Sequence, residues 1–161
     1  MRFDHDLEPA AAERLVVALA HPSLDGAVAA FADELLREQR FFGTAAPKLP
    51  AAALCNLTTG GGTRLGMMVG GRLVGMARVD ADGAAVIAVV QPLRGRGLGR
   101  ELLQSTLRRA AAQGHDRVTF PSSWRSGAFI RLAESSGATV VDHGRGRLEV
   151  VFALRHLSYI A

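Results

Sequence analysis

From about residue 64 the apolar residues fall into three short runs, "RLGMMV", "RLVGMARVD" and "AAVIAVV", broken at Gly70-Gly71 and Asp82-Gly83. Short valine-containing runs bounded by turn dipeptides predict strands. Gly-Gly and Asp-Gly suit tight hairpins because both central residues tolerate positive φ. The segment therefore predicts an antiparallel meander of three strands. The period then changes to that of a helix in "GLGRELLQSTLRRAAAQG", where Leu98, Leu102, Thr106, Leu107 and Ala110 share one face and Gly114 ends the pattern. A strand at 117–120, a helix at 126–136 and strands at 139–142 and 148–154 complete the pattern, the last reached through "HGRGR".

Ahead of the meander the pattern is helical. "EPAAAERLVVALA" predicts a helix that stops at His21-Pro22, since a residue before proline is driven out of helical space. "HPSLDGAVAAFADELLREQRFFG" restarts it with Ser23 as N-cap, keeps Ala27, Ala30, Phe31 and Leu35 at helical spacing, and closes at Gly43. A loop "GTAAPKLP", a short helix over 50–57 and a flexible "TTGGGT" follow. With no repeat or long linker, the order predicts one α/β domain over residues 1–161, with a mixed, mostly antiparallel sheet flanked by helices.

Composition narrows the class. At 161 residues, 48% hydrophobic and 21% charged, the chain can bury one sizeable core. Asp4, Asp6 and Glu8 are unlike an export signal, and the apolar runs are short of a membrane span, so a cytoplasmic protein without a membrane partner is expected. The single cysteine, Cys55, excludes an internal disulfide and a multi-cysteine metal site. Its apolar setting predicts a structural role, and no metal is expected. The net charge of +4 is almost wholly arginine, Lys48 being the sole lysine. The arginines outside one cluster are scattered without interleaved aromatics, which argues against nucleic acid and leaves anionic small molecules.

That cluster lies between the third strand and the following helix, in "VVQPLRGRGLGRELL". Glycine is costly inside regular structure, so Gly95, Gly97 and Gly99 among Arg94, Arg96 and Arg100 need a reason. The first amides of a helix lack internal partners, and glycines let a phosphate reach them while arginines add charge. A nucleotide-binding lysine loop is excluded because no lysine is present here. The dinucleotide fingerprint G-x-G-x-x-G fails in both registers, with Arg100 or Leu102 at its last position.

Arg94-x-x-Gly97-x-Gly99 resembles the acetyl-CoA signature, Gln/Arg-x-x-Gly-x-Gly/Ala, of the GNAT superfamily of N-acetyltransferases, and the element order is similar from about Arg64 to Leu154. The resemblance implies acetyl-CoA as co-substrate, with backbone groups of Ala88, Val89 and Val90 pairing with the pantetheine arm. Arg94, Gly95, Arg96, Gly97, Leu98, Gly99 and Arg100 would then surround the pyrophosphate, mostly through backbone amides. In "SGAFIRLAESSGA", Ser126 stands where the family often has asparagine, Phe129 at an alanine and Ala133 at a tyrosine. Ser126 reads equally well as a helix N-cap.

Leu132-Ala133, and Arg40, Phe41 and Phe42 ahead of the meander, are also similar to the bacterial Pat-type protein lysine acetyltransferases. That pattern implies a glutamate base on the strand before the CoA loop, at Ala84 or a neighbour, where no carboxylate stands. Asp80 and Asp82 flank that strand, and Asp82 fits a turn. Glu149 and His143 are further candidates, and no catalytic residue is singled out. Two functions follow. One is acetyl transfer to a primary amine acceptor, whether a small molecule, an N-terminus or a protein lysine. The other is an acyl-CoA-binding regulatory or interaction module. Strand edges and the C-terminal tail offer surface for a homodimer.

Overall fold

The computed structural model describes residues 13–41, 61–90, 97–123 and 127–155. Within them β1 is Arg14–Ala18, and a 3-10 turn at Pro22–Leu24 leads into α1 at Asp25–Phe41. Next come β2 (Thr63–Val69), β3 (Arg72–Val79), β4 (Ala85–Val89), α2 (Leu98–Ala112), β5 (Arg117–Ser123), α3 (Gly127–Ser135), β6 (Thr139–Asp142) and β7 (Arg147–Ala153). One antiparallel sheet runs β1-β2-β3-β4 and a second runs β5-β7-β6. Among the described residues one parallel bridge, Ala84 to Thr119, joins them.

The bridge stops for a reason written in β5. Thr119 donates its amide to Gly83 O at 3.0 Å, so Thr119 turns its backbone groups toward β4. In a parallel ladder the next donor on β5 would be residue 121, aimed at the carbonyl of Ala85. That residue is Pro121, which has no N–H to give. β5 is the outer strand of its own sheet, where a proline is tolerated when its missing donor faces outward. The expected strand at 117–120 thus continues through the proline to Ser123.

The predicted hairpin at Gly70-Gly71 has both residues at positive φ, 57° and 80°. The second turn differs from expectation, because only Gly83 is left-handed (φ 87°). Asp80 donates to Ala84 O at 2.8 Å around a three-residue loop, and Asp82 Oδ1 accepts the Ala84 amide at 3.2 Å. Asp82 holds the turn through its side chain, so it has no need of positive φ. Gly83 is required twice over: a Cβ there would lie 2.5 Å from the carbonyl of Arg117 on β5.

Two expectations at the N-terminal side are corrected. Part of the predicted helix "EPAAAERLVVALA" is β1, paired antiparallel with β2 from Arg14–Val69 to Ala18–Leu65. β-branched Val16 and Val17 fit a pleated surface, and an open strand edge on β2 decides the outcome over local propensity. Ser23 is not the N-cap of α1. It lies inside the 3-10 turn, where the His21 ring accepts the Ser23 amide at 3.1 Å. The predicted helix over 50–57, Gly43, Cys55 and the tail beyond Arg155 lie outside the described residues.

The apolar side chains gather in two clusters, one on the first sheet and one that joins Val79 and Ala85 of that sheet to the second. Phe31 and Leu35 of α1 pack with Leu65, Met67, Val74 and Met76 of the first sheet. Phe120, Val150, Phe152 and Ala133 belong to the second, where Phe120 meets Phe129 at 5.4 Å and Phe152 at 5.9 Å between ring centres. α2 serves both: Leu98 and Leu102 enter the first cluster, Leu103, Leu107 and Ala110 the second.

Gly83→Ala should cost at least about 2 kcal/mol in chemical denaturation, combining a left-handed backbone with a backbone clash. Gly70→Ala, with open space around it, should cost only about 1 kcal/mol. Pro121→Ala should leave stability nearly unchanged, a gained rung of about 1 kcal/mol being offset by a freer unfolded chain. Its new amide should nevertheless exchange slowly with deuterium. Fast exchange at residue 121 would show that the proline is not what ends the ladder.

Candidate functional site

The end of β4, the start of α2 and the side of α3 converge at Gly99. A Cβ built there lies 3.7 Å from Leu132 Cδ2 on α3 and 4.0 Å from Val89 Cγ2 on β4. Just before it, Gly97 is the N-cap of α2 with φ 80° and ψ 0°, and no side chain caps the helix. The first helical bond is Glu101 N to Gly97 O at 3.1 Å, so the amides of Leu98, Gly99 and Arg100 have no carbonyl within the helix. Leu98, 2% exposed, pins this turn to the core, and among the described residues nothing lies within 4 Å of a Cβ placed at Gly97. The result is an anchored helix start whose first amides have no partner within the helix.

β4 offers the second part. Val90 donates to Val74 O at 2.9 Å, and Asp80 donates to Ala84 O at the other end. Antiparallel alternation then turns the backbone groups of Ala84, Val86, Ala88 and Val90 toward β3. Those of Ala85, Ile87 and Val89 turn toward β5, on the side where Pro121 ends the ladder. Of the three positions named from the sequence, Val89 faces this edge while Ala88 and Val90 face β3. Ile87, not named from the sequence, joins Val89. The two-residue period was visible in "AAVIAVV", but its phase is fixed only by the pairing with β3.

Arg100 bonds Ser135 Oγ at the C-terminal turn of α3 through Nη2, at 3.2 Å. A cation there complements the negative end of that helix. Arg94, Gly95, Arg96 and Ser126 lie outside the described residues.

The positions expected to carry acid and base are occupied otherwise. Ala133 is fully buried in the second cluster, so its methyl fills core space. Ala84 belongs to the bridge between the sheets. Asp80 pairs with Arg78, and Asp82 is spent on its turn. His143 and Glu149, six residues apart, are joined: Nε2 lies 2.8 Å from Oε2. Among the described residues no group of three or more His, Cys, Asp or Glu is placed to hold a metal ion, and no helix is long and apolar enough to cross a membrane.

Comparison with known proteins bears on this arrangement. No curated protein matches the chain. Among solved structures, a GNAT-family acetyltransferase from Streptococcus pneumoniae superposes with a TM-score of 0.67 at 17% identity, over 88% of this chain and 99% of that one. The protein yncA from Salmonella typhimurium, described as an acetyltransferase and solved with its cofactor acetyl-CoA, gives 0.63 at 20% identity, over 88% and 94%. The GNAT domain of a PAT protein from S. lividans gives 0.64 at 20%, over 89% and 90%. At such identities these likenesses concern the fold, with its antiparallel sheets flanked by helices. The sequence profile of the acetyltransferase (GNAT) family matches residues 28–133, from α1 through Ala133 on α3, and the chain therefore belongs to the GNAT acetyltransferase family.

Proposed function

We propose that this chain is a single acetyltransferase domain that uses acetyl-CoA to acetylate a primary amine. The observation that carries the reading is the junction at Gly97–Gly99, where the first amides of a core-anchored helix, without partners inside it, lie beside the end of a strand whose Ile87 and Val89 backbone groups turn away from β3. The residues fit the co-substrate: a pyrophosphate would meet the amides of Leu98, Gly99 and Arg100 at the positive end of α2. The pantetheine arm would run along the Ile87 and Val89 edge as an added strand. Acetyl-CoA supplies an acetyl group activated as a thioester. The chain supplies binding, alignment and a route for the amine's proton.

A second reading is a module that binds an acyl-CoA without transferring its acyl group. The wholly buried methyl of Ala133, where the family often has an acidic tyrosine, favours it. That observation bears less on the reaction than on its rate, because a thiolate leaves without prior protonation far more readily than an alkoxide.

Gly97→Val combined with Gly99→Leu should weaken acetyl-CoA binding at least about 30-fold by calorimetry while circular dichroism stays unchanged. The leucine would crowd Leu132 and Val89, and the valine strains a left-handed cap by about 1–2 kcal/mol. Gly99→Ala, which meets only ordinary contacts, should bind almost as the parent does. Equal affinity in the parent and the double variant would sink the assignment. In an amine panel read by free CoA thiol, the parent should release thiol only when amine is present. Tight binding with no amine-dependent thiol would select the second reading.

A further inference from the structure

The pair formed by His143 and Glu149 has a place in the fold that neither residue reveals alone. Cross-strand partners in a sheet point to the same face. Ala84 is bridged to Thr119, Thr119 pairs with Val151, and Val151 with Thr139. One step further along, Pro121 pairs with Glu149 and Glu149 with Val141. Glu149 therefore shares a face with Ala84, at the level of Pro121, where the seam between the sheets opens. Only the ring of Pro121 lies in this row between Glu149 and the seam, and adjacent strands are about 4.8 Å apart.

This face is accessible. The opposite one carries Val118, Phe120, Val150 and Phe152, all buried in the second cluster. Here Val141 is 39% exposed, and the side chains of His143 and Glu149 are 51% and 36% exposed. Arg145 and Arg147 stand nearby, yet among the described residues Glu149 pairs with His143 rather than with either arginine. Its other carboxylate oxygen has no hydrogen bond among the described residues.

We infer that Glu149, held by His143, receives the acceptor amine and takes its proton, supplying from β7 the carboxylate that β4 lacks. The inference rests on the acetyl-CoA reading above. An alkylamine at neutral pH is an ammonium ion and cannot attack until a proton leaves. The ammonium passes one proton to the Glu149–His143 pair. The nitrogen lone pair then attacks the thioester carbonyl carbon, a C–N bond forms and the C–S bond breaks. The nitrogen's remaining surplus proton goes to the departing thiolate, giving an amide and free CoA thiol. Glu149 is the catalytic residue and His143 a positioning residue that fixes the carboxylate and shares the proton. The acceptor class is a cationic amine, steered by the carboxylate.

The test compares benzylamine, an ammonium ion in neutral buffer, with phenylhydrazine, which is neutral there. Glu149→Gln should lower kcat for benzylamine about 100-fold, within the usual range of general-base catalysis. With phenylhydrazine the loss should shrink to a few-fold, because no proton need leave before attack. His143→Gln, which keeps a hydrogen-bonding group beside Glu149, should lose about 10-fold with benzylamine. Calorimetry should find acetyl-CoA affinity unchanged in both variants, which also shows that they fold. In the dead-end mixture of parent, CoA and benzylamine, the ring ¹⁵N resonances of His143 should shift without turnover. Unchanged kcat in Glu149→Gln, equal losses with the two amines, or a parent that binds acetyl-CoA and acetylates neither amine would overturn the inference. A parent that fails to bind acetyl-CoA would overturn the underlying reading, and this inference with it.

Discussion

Thr119 donates its amide to Gly83 and, two residues later, Pro121 has none to donate. The site depends on that change along a single strand. With one bridge formed, the two sheets are held together. With residue 121 unable to donate, the rung to the carbonyl of Ala85 cannot form, and Ile87 and Val89 turn their backbone groups to the same side as Ala85. A strand edge in the middle of a protein is ordinarily a liability, managed by pairing or covering it. Here proline removes one rung between the edge and its neighbour, and in the acetyl-CoA reading proposed above the edge takes an extended ligand.

Separating two sheets would open the core to water without something spanning the gap, and α2 does so. Its Leu98 and Leu102 belong to the first sheet's cluster, and Leu103, Leu107 and Ala110 to the cluster that joins Val79 and Ala85 of the first sheet to Val118, Phe120 and Val150 of the second. Each leucine buried this way contributes about 1.5–3 kcal/mol, more than a lost rung of about 1 kcal/mol. The same anchoring fixes the N-terminus of α2 beside the end of β4, since a helix clamped through Leu98 cannot swing its first turn away. The first amides of α2 and the end of β4 are thus positioned together by one buried stripe.

The stripe was legible in the sequence because a 3.6-residue period over fifteen residues has few alternative explanations. The meander was legible from its glycine punctuation. β1 was not, since "RLVVALA" is a short apolar run that suits a helix or a strand, and the choice lies with β2 across the chain. The strand through Pro121 was cut short at Phe120 for a sound local reason, as proline usually marks a boundary. Its place on an outer strand, with the missing donor turned to the seam, is a property of the assembled sheets. The helix start at Gly97 was readable because a glycine there acts locally, through its own left-handed backbone. Ile87 was not, because alternation is visible in sequence while its phase is set by register.

The same division explains why the chemistry was harder to see than the donor site. A carboxylate at Ala84 would have to stand at the one place where the sheets touch, beside a glycine whose added Cβ would meet a β5 carbonyl at 2.5 Å. That closeness makes the bridge possible, and a small side chain at Ala84 leaves room for it. Two residues further the sheets part and the row reopens to solvent, with Glu149 standing across Pro121. A hairpin brings His143 back onto it, a coupling set by the β6–β7 register and hidden in a turn that reads only as "HGRGR". In the inference drawn above, the carboxylate that β4 lacks stands instead on the open face of the second sheet, where Glu149 is partly hydrated and one strand from the seam.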